Sequence, residues 1–184
     1  RKGLPLLRDP HILPQTDYLI CESTYGNRFH AAIQTVEEDL AAIINRTCKR
    51  GGRIIIPAFA LERTQEILFV LDKMIRRKQI APLPIYVDSP MAITITEIFD
   101  KHLDSASFSK EFRDYVCHEG DPFKLKSVRY TRAPQESQAL NDLPGPMLIL
   151  SASGMCEGGR ILHHLRNNID KKTTTVLIVG DQAA

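Results

Sequence analysis

This chain predicts an α/β fold: a mostly parallel sheet with helices on both faces. Three observations carry that prediction. Apolar runs without polar alternation, such as Ile54-Ile55-Ile56 and Met147-Leu148-Ile149-Leu150, suit strands covered on both faces. Amphipathic helical stretches separate these runs, an order that gives right-handed crossovers and parallel pairing. The runs also end in polar clusters that open the next helix. Tyr18-Leu19-Ile20-Cys21 leads into Glu22-Ser23-Thr24-Tyr25-Gly26, Arg53-Ile54-Ile55-Ile56 into Pro57-Ala58-Phe59-Ala60-Leu61-Glu62-Arg63-Thr64-Gln65, Ile85-Tyr86-Val87 into Asp88-Ser89-Pro90-Met91, and the run at 147–150 into Ser151-Ala152-Ser153-Gly154-Met155. In an open parallel sheet such ends share one edge, and ligands bind in the crevice outside it. The pattern therefore predicts one composite polar site built from distant segments.

Element by element, residues 4–14 hold three prolines and form a connector. A first strand is expected over 18–22. A helix follows over 31–50, with Ile33, Val36, Leu40, Ile43 and Ile44 on one face. Gly51-Gly52 provides its left-handed stop. After the strand at 54–56, a helix over 62–77 buries Ile67, Leu68, Leu71 and Ile75. Residues 85–87 form a central strand. Ser89 caps the next helix and Pro90 is its first residue. Residues 101–126 break the rhythm. They are polar, carry Phe108, Phe112, Tyr115 and Phe123, and are expected to form a helical insert packed on the outside. A strand at 128–130, a short helix at 136–140, a strand at 147–150, a helix at 160–168 and a strand at 176–179 complete the series.

The 184 residues suffice for one sizeable core. A net charge of +2 does not announce a nucleic-acid binder, so such a role would need a local basic patch. Arg76-Arg77-Lys78, Lys171-Lys172, Lys124, Lys126, Arg129 and Arg132 are the candidates, either as solvated faces or as an approach to a phosphate backbone. Cys21, Cys48, Cys117 and Cys156 show no paired spacing; we expect reduced thiols and a cytoplasmic protein. No apolar run approaches a membrane span, and no signal peptide precedes the first strand. The chain lacks an initial methionine and stops just after a strand, so an excerpt of a longer protein is expected.

The motifs leave alternatives open. Ser151-Ala152-Ser153-Gly154-Met155 leads through Gly158-Gly159 into a helix, which suits either an anion cradle or a flexible turn. It lacks the spacing of a dinucleotide fingerprint and of a P-loop. Arg63 falls in the first turn of its helix, where the dipole disfavours a cation. It reaches for a phosphate or carboxylate, or pairs with Glu62, Glu66 or Glu22. Glu22 orients a ligand or metal, or caps the following helix. Asp88 suits a cap. His163 and His164 point about 100° apart on their helix, so one packed and one exposed ring is expected. His30, close behind Glu22, is the best functional histidine. The histidines form no ligand set for a metal, and no Ser/His/Asp triad can be drawn.

Taken in order, four motifs resemble one family. They are Glu22-Ser23-Thr24-Tyr25-Gly26 with His30, Gly51-Gly52 through Ile56-Pro57-Ala58-Phe59-Ala60-Leu61-Glu62-Arg63-Thr64-Gln65-Glu66, Val87-Asp88-Ser89-Pro90-Met91-Ala92, and Ser151-Ala152-Ser153-Gly154-Met155. The chain resembles the β-CASP branch of the metallo-β-lactamase-fold nucleases. The resemblance implies a Rossmann-like β-CASP cassette over 27–172. Residues 1–26 and 173–184 would be a connector and strands of the metallo-β-lactamase part. It implies a zinc-dependent ribonuclease, with RNA entering between the two domains and two zinc ions activating a water. Glu22 matches the acidic motif that would orient metal-ligand histidines through hydrogen bonds. Tyr25, His30, Arg63, Ser151, Ser153 and Gly154 would face the substrate. The zinc ligands themselves would lie outside this chain, which is expected to hold no metal and to be inactive alone. Many members have glycine where Glu62 stands and an aromatic residue where Asp181 stands. The expected partners are RNA and the remaining metallo-β-lactamase domain, with homo-oligomerisation left open. A non-catalytic RNA-binding subunit of the same family and an unrelated nucleotide-binding enzyme are the alternatives.

Overall fold

The computed structural model describes residues 2–27, 29 and 33–182. Helix α1 spans Ile33–Lys49. It is followed by β1 (Arg53–Pro57), α2 (Arg63–Arg76), β2 (Ile85–Val87) and α3 (Pro90–Lys101). Then come α4 (Lys110–Glu119), a 3-10 turn at Pro122–Lys124, β3 (Val128–Tyr130), α5 (Pro134–Ala139), β4 (Met147–Ser151), α6 (Ile161–Asn168) and β5 (Thr175–Val176). The five strands form one sheet in the order β3-β2-β4-β1-β5, and every pair is parallel.

The apolar runs dictate this sheet. Alternate side chains point to opposite faces. Ile54, Ile56, Ile85, Val87, Leu148 and Leu150 join Leu68, Phe69 and Leu71 of α2 in the main core. On the other face, Met147 and Ile149 pack with Leu140 and Tyr86. The chain ends its helices by the expected chemistry. After α1, Gly51 takes φ 66°. The Gly52 N–H then reaches Thr47 O at 3.0 Å and the Gly51 N–H reaches Cys48 O at 2.9 Å, which satisfies the last carbonyls. Ser89 caps α3 by accepting from the Ala92 N–H at 3.3 Å.

The structure departs from the sequence reading in four places. Residues 18–22 are not a strand. Tyr18 and Ile20 are 93% and 99% exposed, and this run makes no backbone hydrogen bond among the described residues. An extended run forms a strand only when a neighbour completes its ladder. Residues 101–126 do not pack on the outside. Phe108, Phe112 and Phe123 are buried, and Phe112 meets Phe69 edge-on with ring centroids 5.0 Å apart. Nor is the N-terminal stretch a mere connector: Leu6 is buried in the core, and Leu7 bridges Phe108. The last strand is Thr175–Val176, and the Leu177 N–H continues its ladder to Ile55 O at 2.9 Å. The sheet therefore takes in residues 175–177, and the last strand is shorter than the expected 176–179.

Candidate functional site

The topology fixes where a site can form. From β2 the chain leaves outward to β3, and from the adjacent β4 it leaves in the opposite direction to β5. Such a reversal opens a crevice at the C-terminal edge of the sheet. A cleft of about 500 Å3 lies at that edge. Phe59 and Ala60 after β1, Asp88 to Met91 after β2, and Ala152, Ser153, Gly159 and Arg160 after β4 line it. The composite polar site predicted from the strand ends is thus assembled from three of the four expected segments.

Beneath the cleft lies a buried polar network. Asp88 ends β2 with no exposed surface. Its carboxylate accepts from Arg160 Nη1 at 2.7 Å and Ser137 Oγ at 2.5 Å, and lies 2.6 Å from His164 Nε2. Burial alone would raise the Asp88 pKa. The hydrogen bonds from His164, Ser137 and Arg160, together with the nearby His164 charge, outweigh burial and hold it below the usual carboxylate range. Arg160 also donates to Thr131 O at 3.0 Å and Arg132 O at 2.7 Å. One guanidinium therefore ties together the ends of β2, β3 and β4. Ser137, Asp88 and His164 are the residue types of a catalytic triad. However, the serine donates to the carboxylate rather than to the ring, and all three are buried. No activated nucleophile results.

The loop after β4 folds on itself. Ser153 Oγ accepts from the Glu157 N–H at 3.2 Å, and the Ser153 N–H donates to Gly158 O at 3.1 Å. Gly154 lies against Phe59: a Cβ there would stand 2.9 Å from the ring and 3.0 Å from the Phe59 nitrogen. The loop after β1 contains a γ-turn. The Arg63 N–H donates to Leu61 O at 2.8 Å, and Glu62 takes φ 68°, ψ −60°. This is the rare, strained hand of that turn.

The residues singled out in the sequence separate. Ser153 lines the cleft and Gly154 wedges its wall. Ser151 is not part of the cleft lining. It is buried, and its hydroxyl donates to Asp88 O at 2.9 Å, because β4 and β2 are neighbours at that point. Arg63 lines a different groove, between α1, α2 and the segment after β5, and pairs with Glu66 at 2.5 Å. Of the alternatives for Arg63, the ion pair to Glu66 is the one formed. Glu22 and Tyr25 sit on the turn after residue 21, away from the lining of the cleft. Glu22 accepts from the Thr24 N–H at 2.9 Å, and that bond, with the Thr24 hydroxyl, lowers its pKa. Glu22 thus caps its own turn. His30 lies outside the described residues.

Asp88, Arg160, His164 and Ser137 are what sequence reasoning missed. Asp88 was assigned to capping, yet Ser89 alone caps α3. The available signals were the acidic end of a buried strand and an arginine directly after Gly158-Gly159. The expected split of the histidine pair is present, with His164 buried and His163 exposed. Among the described residues, four of the nine basic candidates form ion pairs: Arg76 with Asp72 and Glu119, Arg77 with Glu37, Lys124 with Asp100 and Asp121, and Arg132 with Glu97. All four cysteines are free thiols, but Cys21 is exposed rather than part of a core strand. Among the described residues no cluster of three or more His, Cys, Asp or Glu side chains could hold a metal ion. The described side chains do not fit a resident zinc. No helix of the described residues is long and apolar enough to cross a membrane.

Comparison with known proteins gives the arrangement a family. The family described as Beta-Casp domain matches residues 64–184, more than half of the chain. The chain belongs to the Beta-Casp family. Its β1, β2 and β4 loops are the motifs through which it resembled that family. This Beta-Casp chain is similar to Ribonuclease TTHA0252 of Thermus thermophilus, 37% identical over 96% of this chain and 40% of that protein. It is similar to Transcription termination factor FttA of Methanosarcina mazei, 31% identical over 96% of this chain and 28% of the relative. It is also similar to an RNase J-like protein of Methanocaldococcus jannaschii, 33% identical over 93% of this chain and 38% of the relative. The chain thus spans well under half the length of these relatives. They support an RNA-processing nuclease family.

Proposed function

We propose that this chain forms the substrate cleft of a metal-dependent ribonuclease, and that RNA lies across the C-terminal edge of its sheet. The observation that carries this reading is the cleft itself, where three family motifs converge on a partly exposed arginine and a serine-glycine loop. In this reading the phosphodiester is hydrolysed at a two-zinc centre held by the metallo-β-lactamase part of the whole protein. Residues 1–26 form part of that domain. The exposed apolar side chains Tyr18, Leu19 and Ile20 support a covering partner. Glu22 would then meet metal-ligand histidines that it cannot reach here. Arg160 takes over the phosphate-anchoring role that the sequence gave to Arg63. The free thiols suit a reducing compartment, and a cytoplasmic setting belongs to this reading.

Cleavage of a labelled single-stranded RNA by the full-length protein, with zinc and with a chelator, tests the proposal. Chelator-sensitive cleavage is expected, lost in Glu22→Gln, while the 184-residue chain alone cleaves nothing. No cleavage by a folded, zinc-loaded full-length protein would overturn it.

A further inference from the structure

The cleft contains more than an anion site needs. Phe59 and Met91 line it and are 43% and 66% exposed. Single exposed apolar side chains are ordinary. Two of them lining one concave site beside an arginine are not random surface. The Phe59 ring is also fixed in place. Its carbonyl accepts from both the Thr64 N–H at 3.3 Å and the Thr64 hydroxyl at 2.8 Å. One edge of the ring lies against Gly154, where any side chain would collide, and Gly180 approaches the same edge. The ring is therefore held before any ligand arrives, which reduces the entropy lost on binding.

We propose that Phe59 and Met91 form a seat for one unpaired nucleobase, with Arg160 beside it as the cation for the adjoining phosphate. This rests on the RNA reading above and names how the strand is gripped. The cleft volume of about 500 Å3 falls within the range of roughly 300–1,000 Å3 that small-ligand pockets occupy. Arg160 spends both Nη1 hydrogens and one Nη2 hydrogen on Asp88, Thr131 and Arg132. Its Nε–H and its second Nη2 hydrogen make no bond among the described residues. Two donors of a pre-oriented, partly exposed guanidinium are thus available to an oxygen anion. Of the remaining lining, Ala60, Pro90 and Ala152 are apolar, the Ser89 and Ser153 hydroxyls already accept from the Ala92 and Glu157 N–H groups, and the Asp88 carboxylate is taken up by Arg160, Ser137 and His164. Recognition is by the face of the ring, which every base has, so the seat is tolerant of sequence. It takes only unpaired bases, because a base within a duplex is already stacked on its neighbours.

The test measures binding of a short fluorescent RNA to the full-length protein, single-stranded and as a duplex, over a range of salt. Phe59→Leu keeps most of the volume and removes the aromatic face. It is expected to weaken single-strand binding roughly tenfold at every salt concentration, with the salt slope unchanged. Phe59→Tyr should restore binding. Met91→Ala, at an exposed position that leaves the fold intact, should weaken binding several-fold. Base identity in a homopolymer series should matter little. Wild-type affinity in both Phe59→Leu and Met91→Ala, or equal affinity for the duplex, overturns the seat while leaving the RNA reading in place. A full-length protein that binds no RNA at all overturns both.

Discussion

His164 Nε2 and the Asp88 carboxylate stand 2.6 Å apart across 76 residues of sequence, both buried beneath the floor of the cleft. The contact joins the end of β2 to the second turn of α6. Arg160 reaches the other oxygen of the same carboxylate from the start of that helix. One buried charge thus links the end of β2 to the start of α6, in addition to the backbone hydrogen bonds within the cleft loops.

Removal of that charge gives the first prediction. Asp88→Asn leaves Arg160 without its buried partner and should lower stability by about 3 kcal/mol at pH 7, measured by urea unfolding. The pH dependence follows from the sign of the shift. The folded pKa of Asp88 lies below the ordinary value of about 3.9, so the stabilisation is fully present above that value. It is lost as pH falls through the lower folded value. The gap between wild type and Asp88→Asn should therefore narrow below about pH 4. Glu136 and Asp100 are also shifted down, so the difference between the two proteins is the quantity to follow, not the acid limb of either alone. A gap constant down to pH 2 would mean that the carboxylate titrates alike in the folded and unfolded protein, and the donors around it would then give it no net stabilisation.

The aromatic cluster supplies the second. Phe112 is fully buried among Phe69, Phe108 and Phe123. Phe112→Ala should destabilise the domain by about 4 kcal/mol, as expected for a large cavity in a packed core. Lys110→Ala on the same helix removes only an exposed pair with Asp114, and should change stability by less than about 0.5 kcal/mol. Similar losses in the two variants would mean that α4 packs on the outside after all.

These two sites mark the limits of what the sequence conveys. Strands β1, β2 and β4 were legible because an unbroken apolar run bounded by polar turns has few alternatives. The aromatic insert was not, because its aromatics stand among charged residues and belong to different elements, with Phe108 before α4, Phe112 on it and Phe123 in the 3-10 turn after it. The first strand failed for a different reason: residues 18–22 have the composition of a strand, but pairing is a tertiary fact. At the site, Ser153 and Gly154 were legible as a loop that invites close approach. The Asp88–Arg160–His164 network was not, since nothing in one sequence tells a capping aspartate from one buried under three donors. For Arg63 the sequence left a phosphate contact and an ion pair open, and the pair with Glu66 one turn on is the contact the fold forms.

Gly159→Ala tests how tightly the serine-glycine loop is built. Gly159 takes φ 78°, and a Cβ there would stand 2.4 Å from Ala152 O, a backbone atom that cannot swing aside. The left-handed conformation and the collision add, and a loss of about 3 kcal/mol is expected. Gly158→Ala is the control, because its Cβ would enter open space. It should stay within about 1 kcal/mol of wild type. Equal losses at the two positions would show that the loop does not hold this shape in solution.

Glu62→Gly should do the opposite and stabilise the protein. Glu62 holds φ 68° in the γ-turn that leads into α2, a conformation that a side chain disfavours by roughly 1–3 kcal/mol. Glycine relieves that strain but loses more freedom on folding, by about 0.5–1 kcal/mol. The carboxylate at the helix start also contributes a few tenths of a kcal/mol that glycine forfeits. Glu62→Ala separates these effects, since it loses the same charge but keeps the Cβ. Urea unfolding should place Glu62→Gly about 1 kcal/mol above Glu62→Ala. The glycine found at this position in many members of the resembling family fits that order. Were Glu62→Gly instead the less stable of the two, the backbone at residue 62 would be unstrained, and the turn that carries Phe59 to the cleft would owe nothing to a strained residue.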